Sequence, residues 1–337
     1  MRFVKCASIM VTALVLGAST TGCAGDGITD VTEPEDLGAL LVDNLLDQYV
    51  SKDLVWTRDG TEIVFLDDGL KAVSLSSKTV RTLNADKTTL SLARGIGGEW
   101  IYFVSIVPDA PPGSLDLRIS RVHPAGGTET VTLVATGLST RLVVSANERW
   151  VAISGVLFDS ETKRSTPLPF GIPFGFSPDG SRLLYDRSSQ SPSMVLISTA
   201  DGSIQSIPFV GFPSAVRWAG NSPQFLRIAN TVTQSGGETS RISEQDGLSG
   251  VETELASISG TSALFSANWS DDGGILGFWF EPSFTRSELI VLRRGGPRTV
   301  SARVDSDVGA PSFSPSGNAV AYRVFLPSYS RIYMKYI

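Results

Sequence analysis

Apolar and polar residues alternate in short runs along most of the chain, and the runs are separated by turn-forming clusters rather than by helical periods. One pattern recurs: a large apolar residue, a Ser-Pro-Asp-Gly-like turn, then alternating apolar positions. It is clearest at Phe176-Ser-Pro178-Asp179-Gly180, with Leu183 and Tyr185 following. It returns at Phe313-Ser-Pro315-Ser-Gly317, with Val320 and Tyr322, at Trp269-Ser-Asp-Asp-Gly273, with Leu276 and Phe278, and at Trp56-Thr-Arg-Asp-Gly60, with Ile63 and Phe65. In all four copies Gly stands four residues after the aromatic, and apolar residues stand seven and nine after it. Alternation of period two is the mark of a strand with one buried face. The intervening segment is hairpin chemistry, because Pro fixes φ while Asp and Gly tolerate the positive φ of tight turns.

Three weaker copies complete the series. Arg94-Gly-Ile-Gly-Gly98-Glu-Trp100-Ile101 keeps the second half of the motif. Val144 through Val151 keeps the spacing without the Gly. Trp218-Ala-Gly-Asn-Ser-Pro-Gln-Phe225 is the poorest match. The starts at 56, 94, 144, 176, 218, 269 and 313 are spaced by about 43 residues on average, the length of a propeller blade. Two more strand-like runs follow each motif, for example 194–198 and 204–209, or 288–292 and 299–304, so each unit supplies four strands. Five of the six tryptophans (Trp56, Trp100, Trp150, Trp218 and Trp269) lie in or beside a motif, which points to core service.

These units resemble the WD40-like repeats of TolB-type β-propellers, whose hallmark is Trp or Phe followed by Ser-Pro-Asp-Gly and an apolar strand. The resemblance covers residues 37–337. It implies an all-β, seven-bladed propeller of four-stranded antiparallel blades, in which Trp56, Gly60, Phe176, Pro178, Asp179, Gly180, Trp269, Gly273, Phe313, Pro315 and Gly317 are structural motif residues. The last unit has only two runs after Phe313, at 319–325 and 331–337, so its fourth strand is missing. Residues 37–42 are expected to supply it and close the ring, which removes an exposed sheet edge. A short amphipathic helix over 37–50 is the other reading of Leu40, Leu41, Leu45 and Leu46.

The N-terminus changes the picture from a fold to an exported protein. Arg2 and Lys5 precede an uncharged apolar run from Cys6 to Ala18, then Ser-Thr-Thr-Gly22-Cys23. This is a secretory signal over residues 1–22. Its end resembles the bacterial lipobox, which implies lipidation of Cys23, although Thr20 stands where Leu is usual. An ordinary signal cut nearby is the alternative. Only Cys6 and Cys23 exist, so the processed chain holds one thiol and no internal disulfide. Residues 23–36 are polar with Gly and Pro and read as a tether to the membrane. The expected location is the cell envelope, with the domain facing the periplasm or exterior. Ala24 after Cys23 leans toward the outer membrane.

Charge excludes some partners. With 28 basic and 34 acidic residues, the net charge is -6, and losing Arg2 and Lys5 makes it -8. An acidic surface repels nucleic acid.

Candidate chemistry is sparse. The single histidine, His123, lies beside Pro124 at a strand end and reads as a surface-loop residue, with no Gly-x-Ser-x-Gly elbow to accompany it. Asp67-Asp68-Gly69 and Asp271-Asp272-Gly273 fall where hairpin turns are expected, so turn duty is favoured over calcium binding. Gly95-Ile-Gly97-Gly98 precedes a strand rather than a helix and so does not read as a phosphate cradle. No catalytic residue, metal site or cofactor is assigned, and a monomer is expected. Two functions remain open. One is a non-catalytic, membrane-tethered propeller that binds an envelope protein or cell-wall component. The other is a glycan or lactone hydrolase or lyase with its site at the channel mouth. A funnel of mixed acids and arginines there would favour the enzyme, and an apolar surface the binder.

Overall fold

The computed structural model describes residues 37–45, 53–107, 116–135, 140–187, 194–209, 214–232, 238–259, 263–283, 286–296 and 298–337. The expected signal peptide, Cys23 and the expected tether lie outside them. The described residues form seven antiparallel sheets and contain no helix. Blade one comprises Leu54–Trp56, Glu62–Leu66, Leu70–Ser74 and Val80–Asn84, in sequential order from the inner strand outward. The next five blades repeat this order, their inner strands being Thr89–Ala93, Val143–Val144, Ile172–Phe176, Ala215–Ala219 and Ala263–Trp269.

The seventh sheet closes the ring. Its inner strand is split into Asp307–Val308 and Ser312–Phe313, both paired with Ala319–Phe325. Ser330–Tyr336 follows, and its free edge is taken by Ala39–Leu45. The N-terminal segment is thus a strand, not a helix. Leu41, Val42 and Leu45 bury their side chains against Ile332 and Met334 of blade seven and Trp56 of blade one. Gly38 (φ +87°) makes the approach possible, because a Cβ there would sit 2.5 Å from the Met334 carbonyl oxygen.

The core is distributed over the seams. Seven hydrophobic clusters are present, each drawing on two adjacent blades, including blades seven and one. Alternation explains the arrangement, since each sheet has an apolar residue on both faces and each face meets a neighbour. Trp56 and Trp269 are buried as expected. Trp100, Trp150 and Trp218 are only partly buried, while Trp279, outside the motif, is fully buried and donates Nε1–H to the Gly309 carbonyl at 2.8 Å.

The repeated turn is a hydrogen-bonded latch. The residue after the aromatic carries a buried hydroxyl. It donates to the acidic or amide side chain two residues on: Thr57 to Asp59 at 2.7 Å, Ser145 to Asn147 at 2.7 Å, Ser177 to Asp179 at 2.6 Å and Ser270 to Asp272 at 2.6 Å. The same hydroxyl accepts the backbone N–H five residues on, as at Arg182, Ile275 and, in blade seven, Ala319 onto Ser314. Gly60, Gly180, Gly273 and Gly317 all take φ near +70°, and Glu148 takes +57° where blade three lacks the glycine. Blades two and five lack this latch.

Strand register corrects the alignment of blade five. Across the inner pair, the motif residue stands opposite the residue seven later: Trp56 opposite Ile63, Val144 opposite Val151, Phe176 opposite Leu183, Trp269 opposite Leu276 and Phe313 opposite Val320. In blade five the residue so placed is Arg217, opposite Gln224, whereas Trp218 faces Pro223. A tight Gly220-Asn221 turn shortens this hairpin, so Trp218 is one residue out of phase with the other motif aromatics.

Candidate functional site at the channel mouth

The seven inner strands surround a cavity of about 400 Å³. Its wall is polar and apolar in about equal parts, with Val55, Leu92, Val143, Phe174, Val216 and Trp218 among the apolar lining side chains. The charged residues of the wall are Asp53, Arg94, Arg217 and Asp271.

Arg94 occupies the motif slot of blade two. Ala93 stands opposite Tyr102, so by continuation Arg94 stands opposite Ile101, seven residues later. Two of the seven slots therefore hold arginine, in the same two blades that lack the hydroxyl latch. The arginines are served differently. Arg217 is paired within its own blade: Nε and Nη2 both donate to Glu244, the second at 2.7 Å, and the two side chains are 7% and 3% exposed. Arg294 adds a further bond to Glu244 at 3.0 Å, and the Arg217 guanidinium lies 5.2 Å from the Trp269 ring centre.

Arg94 has no such acid in its blade. Glu244 stands opposite Leu226, nine residues past Arg217, and the corresponding residue opposite Phe103 is Ser120. The Arg94 guanidinium is held instead by its own loop, Nη1 donating to the carbonyls of Gly95 and Gly98 at 3.2 and 3.3 Å. Its Nη2 reaches Asp271 of blade six at 3.0 Å. The Arg94 side chain is 7% exposed and its Nε has no hydrogen-bond partner among the described residues. The glycines of this loop serve close packing: a Cβ on Gly95 would run into the Ser145 carbonyl oxygen of blade three.

The two aspartates of Asp271-Asp272-Gly273 have separate duties. Asp272 accepts from the Ser270 hydroxyl and the Gly274 N–H, which hold its carboxyl below the usual range. Asp271 leaves the turn and crosses to Arg94, so the expectation of turn duty holds for only one of the pair. Asp67-Asp68-Gly69 is a hairpin turn as expected, with Asp68 at φ +50°, Asp67 paired with Lys71 and Asp68 with Lys87. At the entry end of the inner strands, Asp53 acts on Arg141, whose burial lowers its pKa and whose guanidinium lies 4.6 Å from the Phe174 ring centre.

His123 lies away from the channel, in a surface pocket with Arg58, Glu99 and Arg81. It is partly buried edge-on against Trp100, at 5.3 Å between ring centres, and its Nδ1 accepts the Ala125 N–H. Among the described residues no three His, Cys, Asp or Glu side chains converge as a metal site.

The arginines are what the repeat reading passed over. Arg94 heads a weak motif and Arg217 sits beside the poorest one. The available signal was a charged residue in a slot that other blades fill with an aromatic.

No protein-family model and no curated protein matches the sequence. Among solved structures, the chain is similar to oligogalacturonate lyase from Vibrio parahaemolyticus, at 11% identity and a TM-score of 0.62, over 90% of this chain and 95% of that one. It is similar to Kuenenia stuttgartiensis hydrazine synthase at 13% identity and a TM-score of 0.54, over 94% and 99%. TolB from Acinetobacter baumannii shares 14% identity at a TM-score of 0.44, over 84% of this chain and 60% of that one. For the lyase and the synthase the likeness is one of fold alone, and the fold of this chain is a seven-bladed β-propeller.

Proposed function

We propose that this protein is a non-catalytic propeller, tethered to a bacterial membrane through lipid on Cys23, that holds an envelope protein or cell-wall component at the mouth of its central channel. The observation that carries this reading is the composition of the mouth. Aliphatic and aromatic side chains make up about half of the wall, and its strand-exit end holds Arg217 and one cross-channel pair of opposite charges, Arg94 and Asp271. Apolar and aromatic surface beside a few placed charges is the form of a binding site. Acid–base hydrolysis of a glycan would call for two convergent carboxylates, and of the two acids in the wall Asp271 is paired with Arg94 while Asp53 stands at the other end of the inner strands.

The test is photo-crosslinking in intact cells. A photoreactive residue at Ile96, exposed at the mouth, is compared with one at Val251, exposed on a blade-five turn outside the mouth. Adducts from Ile96 and none from Val251 are expected. Equal adducts from both positions, or depolymerisation of an envelope glycan by the purified protein, would overturn the reading.

A further inference from the structure

An arginine presents two nitrogens, Nε and Nη2, along one edge, and this edge matches the two oxygens of a carboxylate. Arg217 shows the edge filled: both nitrogens donate to Glu244. Arg94 occupies the equivalent slot and shows it half filled. Nη2 meets Asp271 alone, Nε meets nothing among the described residues, and the blade offers Ser120 where blade five offers Glu244. Its remaining nitrogen, Nη1, is tied to loop carbonyls, so the guanidinium is oriented before any ligand arrives. A buried donor without a partner costs free energy that a ligand's acceptor would recover.

We propose that Arg94 is the anchor of a carboxylate-binding site in the channel mouth, and that Asp271 is the built-in occupant a ligand's carboxylate displaces. Asp271 suits that part. Its side chain is 32% exposed against 7% for Arg94, so it can turn to solvent while Arg94 cannot. The ligand carries the carboxylate on an apolar or aromatic body, which Leu92, Phe174 and Trp218 are placed to receive. A phosphate is a poorer fit, because its second charge would face Asp271 with one half-filled arginine to balance it.

This rests on the channel mouth being the binding site, and the experiment separates the two claims. The full chain in detergent is titrated with N-acetylphenylalanine, its amide and phenyl phosphate, read by calorimetry and tryptophan fluorescence. The carboxylate is expected to bind in preference to the other two. Arg94→Gln should weaken it by about tenfold or more, Arg94→Lys should restore part of the loss, and Asp271→Asn should tighten it by removing the competitor. Asp271→Asn keeps Arg94 in place and decides the matter if Arg94→Gln does not fold. Equal binding of acid and amide, tighter binding of phenyl phosphate, no binding of any probe, or an unchanged affinity in Asp271→Asn would overturn the carboxylate site. If the probes fail while Ile96 still crosslinks a partner, the binding-propeller reading stands without it. If the carboxylate binds through Arg94 and Ile96 captures nothing, the site takes a small acid and the macromolecular reading falls.

Discussion

Arg217 and Glu244 meet side-on inside blade five, both nitrogens of the guanidinium edge facing both carboxylate oxygens, with neither side chain more than 7% exposed. Removing one partner strands a buried charge, which costs about 3–5 kcal/mol. Glu244→Ala is therefore expected to lower the stability of the propeller by that amount in denaturant unfolding. Replacing both by apolar residues of similar size should cost much less. A loss in the double variant equal to that of Glu244→Ala would show that the pair's charge balance is not what matters.

Trp269→Ala should destabilise the fold by roughly 3–5 kcal/mol, as large-to-small changes in packed cores do. The residue is 8% exposed and packs with Leu276 and Phe278 at the seam of blades five and six. His123→Ala should change stability little, since it removes one edge contact with Trp100 and one turn hydrogen bond at the surface. Thermal unfolding of both variants checks this. A Trp269→Ala protein that melts like the parent but loses crosslinking from Ile96 would make the indole a recognition group rather than a core one.

The turn aspartates tie stability to pH. Hydroxyl and backbone N–H donors hold Asp179 and Asp272 below the usual carboxylate range, Ser177 and Ser270 being the largest cause in each. Asp201, bonded by the Ser203 N–H, falls to about 2. A carboxyl whose folded pKa is depressed contributes stability that is present above its unfolded value of 3.8 and lost as pH falls through the folded one. The melting temperature should thus be level from neutral pH to about 4.5 and decline below it. Asp179→Asn with Asp272→Asn should flatten that decline. An equally steep acid limb in the double variant would place the linkage elsewhere.

Cys23→Ser should move the protein from the membrane to the soluble fraction of the cell envelope. The motivation is Gly22-Cys23 behind an apolar run, with no other cysteine beyond it. Sedimentation with membranes after a high-salt wash would show that lipid on Cys23 is not the anchor.

Much of this architecture is local and was therefore legible. Period-two alternation and Asp-Gly turns are properties of ten or so consecutive residues, and they place Arg182–Asp186 and Ile275–Ser283 as strands without reference to the rest of the chain. The closing strand was legible by subtraction, because blade seven lacked one and residues 37–42 had no other place in the repeat, although the strand observed runs over Ala39–Leu45. Register in blade five was not, because a turn two residues shorter moves Trp218 out of phase while leaving the apolar pattern intact. The channel site was decided by tertiary structure alone. Arg94 and Asp271 are 177 residues apart and meet only because seven blades close into a ring that sets blade two across from blade six. Which nitrogen of Arg94 is left without a partner depends on that meeting, and no local pattern encodes a contact made across the axis of the fold.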